Sequence, residues 1–80
     1  MTNEIQLDTA PLVGKIRELG MSQKEFADKD GRSLTAVRKI LTNETEMSWK
    51  TIIKWSEILG VEVGTPEWFR LFFSTKTYKK

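Results

Sequence analysis

The sequence predicts an all-α fold, a compact bundle of five short helices. Three observations carry that reading. Apolar residues recur along the chain at helical spacing, with no alternating run longer than the Val61-Glu62-Val63 fragment. Each apolar run opens on a Ser or Thr able to cap a helix. Four of the five runs then close on Gly or Asn, the residues that best accept a left-handed backbone.

The first helix carries Leu12, Val13, Ile16 and Leu19, with Thr9 as cap, Pro11 in its first turn and Gly20 after its end. The second starts on Ser22 and Glu25, which form a capping box, each side chain satisfying the other's backbone N–H. Met21 and Phe26 flank that box at staple spacing, and the helix runs to about Lys29 and stops at Gly31. Ser33 caps the third, whose buried stripe is Val37, Ile40 and Leu41 and whose end is Asn43. Ser48 caps the fourth, with Ile52, Trp55 and Leu59 facing inward and Gly60 closing it. Thr65-Pro66-Glu67 is a cap, a first-turn proline and a first-turn acid, and opens a last helix through Trp68, Phe69, Leu71, Phe72 and Phe73. One domain is expected over residues 1–80, with its core between about 9 and 73 and a basic, frayed tail at 74–80.

Composition narrows the function. The 80 residues contain no Cys and no His, which excludes disulfides, thiolate or imidazole metal sites and histidine-based catalysis. A metal would need oxygen ligands alone, and no acidic run has calcium-loop spacing. The acids show no paired arrangement, so neither an enzyme nor a cofactor is expected. No leader-like or membrane-length apolar segment stands out, which predicts a cytoplasmic protein without a membrane partner. Thirteen basic and eleven acidic residues give a formal charge of +2. So small a sum says little about partners, and the placement of the charges decides.

The second and third helices form the strongest motif. Two short helices joined by a Gly-containing turn have the geometry of a helix-turn-helix. Ala27 sits where the pair crosses, Gly31 frees the turn, and Phe26, Val37 and Ile40 plug both helices onto one core. The segment Ser22-Gln23-Lys24-Glu25-Phe26-Ala27-Asp28-Lys29, with Gly31, Ser33 and Val37 after it, resembles the first motif helix, turn and recognition helix of the phage repressor and Cro family. The resemblance continues through Met47 to Trp55 and the Leu59-Gly60-Val61 ending, so that it covers Leu12 to Val61. The Trp68-Phe69-x-x-Phe72 helix is more loosely similar to the family's final helix, which often dimerises. Asp30 and Arg32 depart from the pattern: they stand where the family prefers apolar residues, and are expected to face solvent or adjust the turn.

That resemblance implies a sequence-specific DNA-binding regulator that acts as a dimer on an operator and occludes a promoter. The third helix fits, because Arg38 and Lys39 lie between Ser33 and Thr42 with no acid among them. By the resemblance, Leu34, Thr35 and Lys39 point at base edges, and Gln23 anchors on a phosphate. Leu34 has a second reading, in which it packs on its own protein or a partner. Lys24, Arg32, Arg38 and Asn43 add backbone contacts, and Ser33 heads the recognition helix. These nine residues are the candidate DNA-binding set.

The surplus of large apolar residues points to a second surface. Trp49, Ile53 and Ile58 fall off the buried stripe of the fourth helix, and five large apolar side chains in six positions cannot all face one thin core. Trp68, Phe69, Phe72 and Phe73 are therefore added to Trp49, Ile53 and Ile58 as a candidate protein interface, with Phe69 and Phe73 the pair left over once Trp68, Phe72 and Leu71 cover the bundle. A homodimer is the default occupant. The competing possibility has Ile5 and Leu7 folding back over the patch. A chain this short leaves no room for the second domain of full-length repressors, so the resemblance implies either a Cro-sized regulator or a small modulator. The latter, an antirepressor that binds a second phage regulator, is the rival function. An antitoxin that binds both a toxin and DNA is a third.

Overall fold

A computed structural model describes the backbone of residues 3–79 and the side chains of residues 7–75. Five helices follow one another: α1 (Ala10–Glu18), α2 (Gln23–Asp30), α3 (Leu34–Leu41), α4 (Trp49–Leu59) and α5 (Pro66–Phe72). The expected all-α, five-helix reading stands.

Local chemistry sets most of the helix starts. Ser22 Oγ accepts from Glu25 N at 3.1 Å while Ser22 N donates to Glu25 Oε1 at 3.2 Å, which completes the capping box. Ser33, Ser48 and Thr65 accept from the third backbone N–H beyond them, at 3.1, 3.2 and 3.3 Å. Thr9 departs from expectation. Its hydroxyl makes no cap and instead donates to the Leu41 carbonyl at 2.5 Å, tying the head of α1 to the end of α3. The Asp8 carboxylate takes the Ala10 N–H in its place. Asn43 adopts the left-handed conformation at φ 63°, as its place at the end of α3 predicts.

The core gathers one stripe from every helix. Leu12 and Ile16 from α1, Phe26 and Ala27 from α2, and Val37 and Ile40 from α3 are all buried. Trp55 of α4 fills the centre, its ring meeting Phe26 edge-on at 4.9 Å. On the last helix, Trp68, Leu71 and Phe72 are buried at i, i+3 and i+4. Trp68 Nε1 donates to Ser56 Oγ at 2.8 Å, and Ser56 in turn donates to the Ile52 carbonyl, so α5 is pinned to α4 by a buried polar chain.

The tail corrects the sequence reading. Residues expected to fray form strand β2 (Thr75–Lys79), which pairs antiparallel with β1 (Asn3–Leu7), Leu7 opposite Thr75 and Asn3 opposite Lys79. Both strands are five residues long and their pairing spans nearly the whole chain, so neither announces itself locally. Asn43 Nδ2 closes the corner by donating to the Leu7 carbonyl at 2.9 Å. Leu7 is half-buried beside Phe72 and Phe73, while the Ile5 side chain lies outside the described residues.

Asp30 supplies the second correction. It does not face solvent: at 1% exposure it is the last residue of α2 and part of the interior. Arg32 Nη1 donates to Asp30 Oδ2 at 2.8 Å, and Arg32 Nη2 donates to Thr51 Oγ1 at 2.8 Å. Lys54 approaches Asp30 Oδ1 to 3.6 Å and donates to the Asp30 backbone carbonyl. The turn is thereby fastened to α4, and an acid is tolerated at an apolar position because two cations come with it.

The two ends of this network respond unequally to mutation. Arg32→Ala takes the hydrogen bond from the buried Asp30 carboxylate and leaves it only Lys54 at 3.6 Å, and is expected to cost about 2–3 kcal/mol. Asp30→Asn keeps the volume and leaves Arg32 and Lys54 side chains that already reach water, at a cost of about 1 kcal/mol. Urea unfolding of both single variants and the double variant checks this. The double is expected to lose less than the sum, and strict additivity would contradict the network.

Candidate nucleic-acid interface

The α2–α3 pair is built from the residues that the motif requires. Gly31 ends α2 at φ 81°, a left-handed value that a side chain resists, and its N–H returns to the Ala27 carbonyl at 2.9 Å. Arg32 N bonds the same carbonyl at 3.2 Å, which brings the chain round to Ser33 and the start of α3. Ala27 is fully buried, leaving Cβ alone between the helices. Val37, Ile40 and Leu41 anchor the inner face of α3.

The outer face of α3 then divides between two grooves. Thr35 and Lys39, four residues apart and both exposed, line one of them with Ser33, Ala36 and the α3–α4 connection. Leu34 and Arg38 line the other, facing Gln23 and Lys24 at the head of α2. Gln23 Oε1 accepts from Arg38 Nε at 3.3 Å, so two of the expected contact residues orient one another across the motif. Lys24 pairs with Asp28 at 2.9 Å on the exposed face of α2. No acid interrupts α3 between Leu34 and Leu41, so the helix itself carries nothing that repels a phosphate; the acid beside it is Glu46, in the connection to α4.

Arg17 was missed. It sits in the last turn of α1, is exposed, and lines the same groove as Gln23, Lys24 and Arg38. The available signal was a basic residue in the last turn of the helix before the motif.

The structure does not bring all nine expected residues together. Arg32 is spent on Asp30 and Thr51, so its guanidinium serves the interior of the turn. Ser33 uses its hydroxyl on the Ala36 N–H. Asn43 stands at the opposite end of α3 from Leu34 and Thr35, its amide committed to Leu7. Leu34 is half-buried and lines a groove with Val13, Ile16 and Met21.

The expected protein interface divides as well. Trp68 and Phe72 are core residues, at 4% and 1% exposure, and Ile58 packs on the core from its edge. Trp68 and Phe72 leave the interface because α5 turns its i, i+3, i+4 stripe inward, and Ile58 because α4 sets it against the core. Ile53 is half-buried. Trp49, Phe69 and Phe73 remain at the surface, 59%, 53% and 46% exposed. Their rings surround Trp68 at centroid distances of 6.0, 5.0 and 5.1 Å, which makes one continuous aromatic patch. Among the described residues no helix is long and apolar enough to cross a membrane, and no three acidic, His or Cys side chains come together as metal ligands.

Comparison with known proteins agrees with this geometry. The helix-turn-helix family model of the Cro/C1 type matches residues 14–65, well over half of the chain, from the middle of α1 to the approach to α5. No curated protein and no solved structure is similar enough to the chain to count as a match. The match takes in α2, the Gly31 turn, α3 and α4 without a break, and the chain belongs to the Cro/C1-type helix-turn-helix family of DNA-binding regulators.

Proposed function

We propose that the protein is a sequence-specific operator-binding repressor of the phage Cro type, working as a homodimer that occludes a promoter. The observation that carries this reading is the acid-free outer face of α3, with Thr35 and Lys39 exposed together and Arg38 held by Gln23. In this reading α3 lies in the major groove. Thr35 contacts a base edge or a thymine methyl, and Lys39 reaches guanine O6 or N7. Gln23, Lys24, Arg38 and Arg17 set the register on phosphates and read no sequence.

The homodimer is supported by the aromatic patch of Trp49, Phe69 and Phe73, too apolar and too continuous for an idle surface. A two-fold dimer would place two copies of α3 about one helical turn of DNA apart. The second reading, a modulator that acts on another regulator, is favoured by the same patch. Asp30 and Arg32 lend it no weight, because both are consumed inside the fold.

Titration against the DNA upstream of the protein's own gene, and against scrambled DNA, separates the two readings. Tight binding to one sequence, weakening steeply with salt, is the expected result; a folded protein with no preference at low salt sinks the operator-binding reading. Thr35→Ala and Lys39→Ala are expected to lose about 1–3 kcal/mol of site discrimination each while leaving the melting temperature unchanged. Arg17→Ala is expected to weaken all duplexes alike and to lower the salt slope by about one unit. Phe69→Ser with Phe73→Ser is expected to give a folded monomer in sedimentation, with binding reduced to that of a single half-site.

A further inference from the structure

The groove between α1, the head of α2 and α3 has a mixed chemistry that DNA alone does not use. Its floor is apolar: Val13 and Ile16 from α1, Met21 before α2, and Leu34 from the recognition helix. Its rim is cationic, with Arg17, Lys24 and Arg38, and no carboxylate lines it. Ser22 and Gln23, at the N-terminal end of α2, line the same space. Arg17 takes part in no ion pair among the described residues, so its charge is uncommitted. The cavity measures about 430 Å³, ample for one large apolar side chain and the turn of backbone that bears it.

A phosphodiester backbone would satisfy the rim but has nothing to bury against the floor. The occupant that satisfies both is a polypeptide: an acidic segment with one large apolar residue between carboxylates. We propose that this groove docks such a segment of a partner protein, and that docking excludes DNA by occupying Gln23, Lys24 and Arg38. The inference rests on the DNA-binding reading, since it names a regulator of that same surface. Charge complementarity selects an acidic partner, and the half-buried Val13, Met21 and Leu34 over buried Ile16 select one with an apolar anchor.

The probe is a short Glu-rich peptide with a single central Phe, set against the same peptide with that Phe replaced by Ala. Full-length protein is titrated with each by fluorescence anisotropy, and methyl NMR is recorded in parallel. The Phe peptide is expected to bind about tenfold or more tightly, to shift the methyls of Val13, Ile16, Met21 and Leu34, and to displace a duplex oligonucleotide. Val13→Thr and Met21→Gln, which keep side-chain size but make the floor polar, are expected to cut the Phe peptide's affinity severalfold and leave the Ala peptide's unchanged. Equal affinities for the two peptides, or shifts confined to the rim, would overturn the docking site while leaving DNA binding intact. Docking of the Phe peptide by a protein that binds no duplex would instead retain the groove and overturn the operator-binding reading.

Discussion

A single buried carboxylate governs how this molecule presents its recognition helix. Asp30 ends α2, and the turn after it brings Arg32 back over the carboxylate while Lys54 reaches across from α4. Thr51 extends the cluster, because it accepts from Arg32 and shares a 3.0 Å hydrogen bond with the Ser48 hydroxyl that caps α4. Turn, second helix and fourth helix are thus tied together around a carboxylate that has no access to water. Burying an anion is costly in itself, so the cluster is weak evidence for stability; its consequence is that losing one partner is far worse than never having had the pair.

The same cluster marks the boundary of what the sequence discloses. Ser22, Glu25, Ser33, Ser48 and Thr65 were legible as helix starts because each acts on a backbone N–H three residues away. The buried stripes were legible for the same reason, periodicity being local. Asp30 was not, since one of its two cations lies on another helix, at Lys54. Thr9 looked like a cap and Asn43 like a phosphate ligand, until partners on distant segments, Leu41 and Leu7, claimed them. The β1–β2 ribbon failed the reading for the strongest form of that reason: its strands stand at opposite ends of the chain.

The last helix shows how far a count of apolar residues goes. Too many large side chains for one face is a sound inference, and the structure resolves it by helical geometry. Trp68, Leu71 and Phe72 turn inward, and Phe69 and Phe73, four residues apart, turn outward with their rings 5.9 Å from each other. Trp68 belongs to both populations, buried by Ser56 beneath and by three exposed rings above. The ribbon leaves from the end of this helix, and Asp8 N bonds the Ser74 carbonyl at 2.7 Å. The aromatic patch, the ribbon and the start of α1 are therefore one connected region, tied to the end of α3 through Asn43.

A formal charge of +2 understates the surface available to a polyanion, because the charges are sorted by role. Arg32 and Lys54 are consumed by Asp30, and Lys15 and Arg70 by Glu67. The Asp30 cluster sets two cations against one carboxylate and keeps a charge of +1, whereas Lys15 and Arg70 are balanced by Glu67 together with Glu18. What remains around α3 is Arg17, Arg38 and Lys39, with Lys24 pairing only at the surface, where an exposed ion pair yields readily to a phosphate. The sum over the sequence averages these two populations. The fold separates them: Arg17, Lys24 and Arg38 gather at a groove that no carboxylate lines, while Lys39 shares its groove with Glu46.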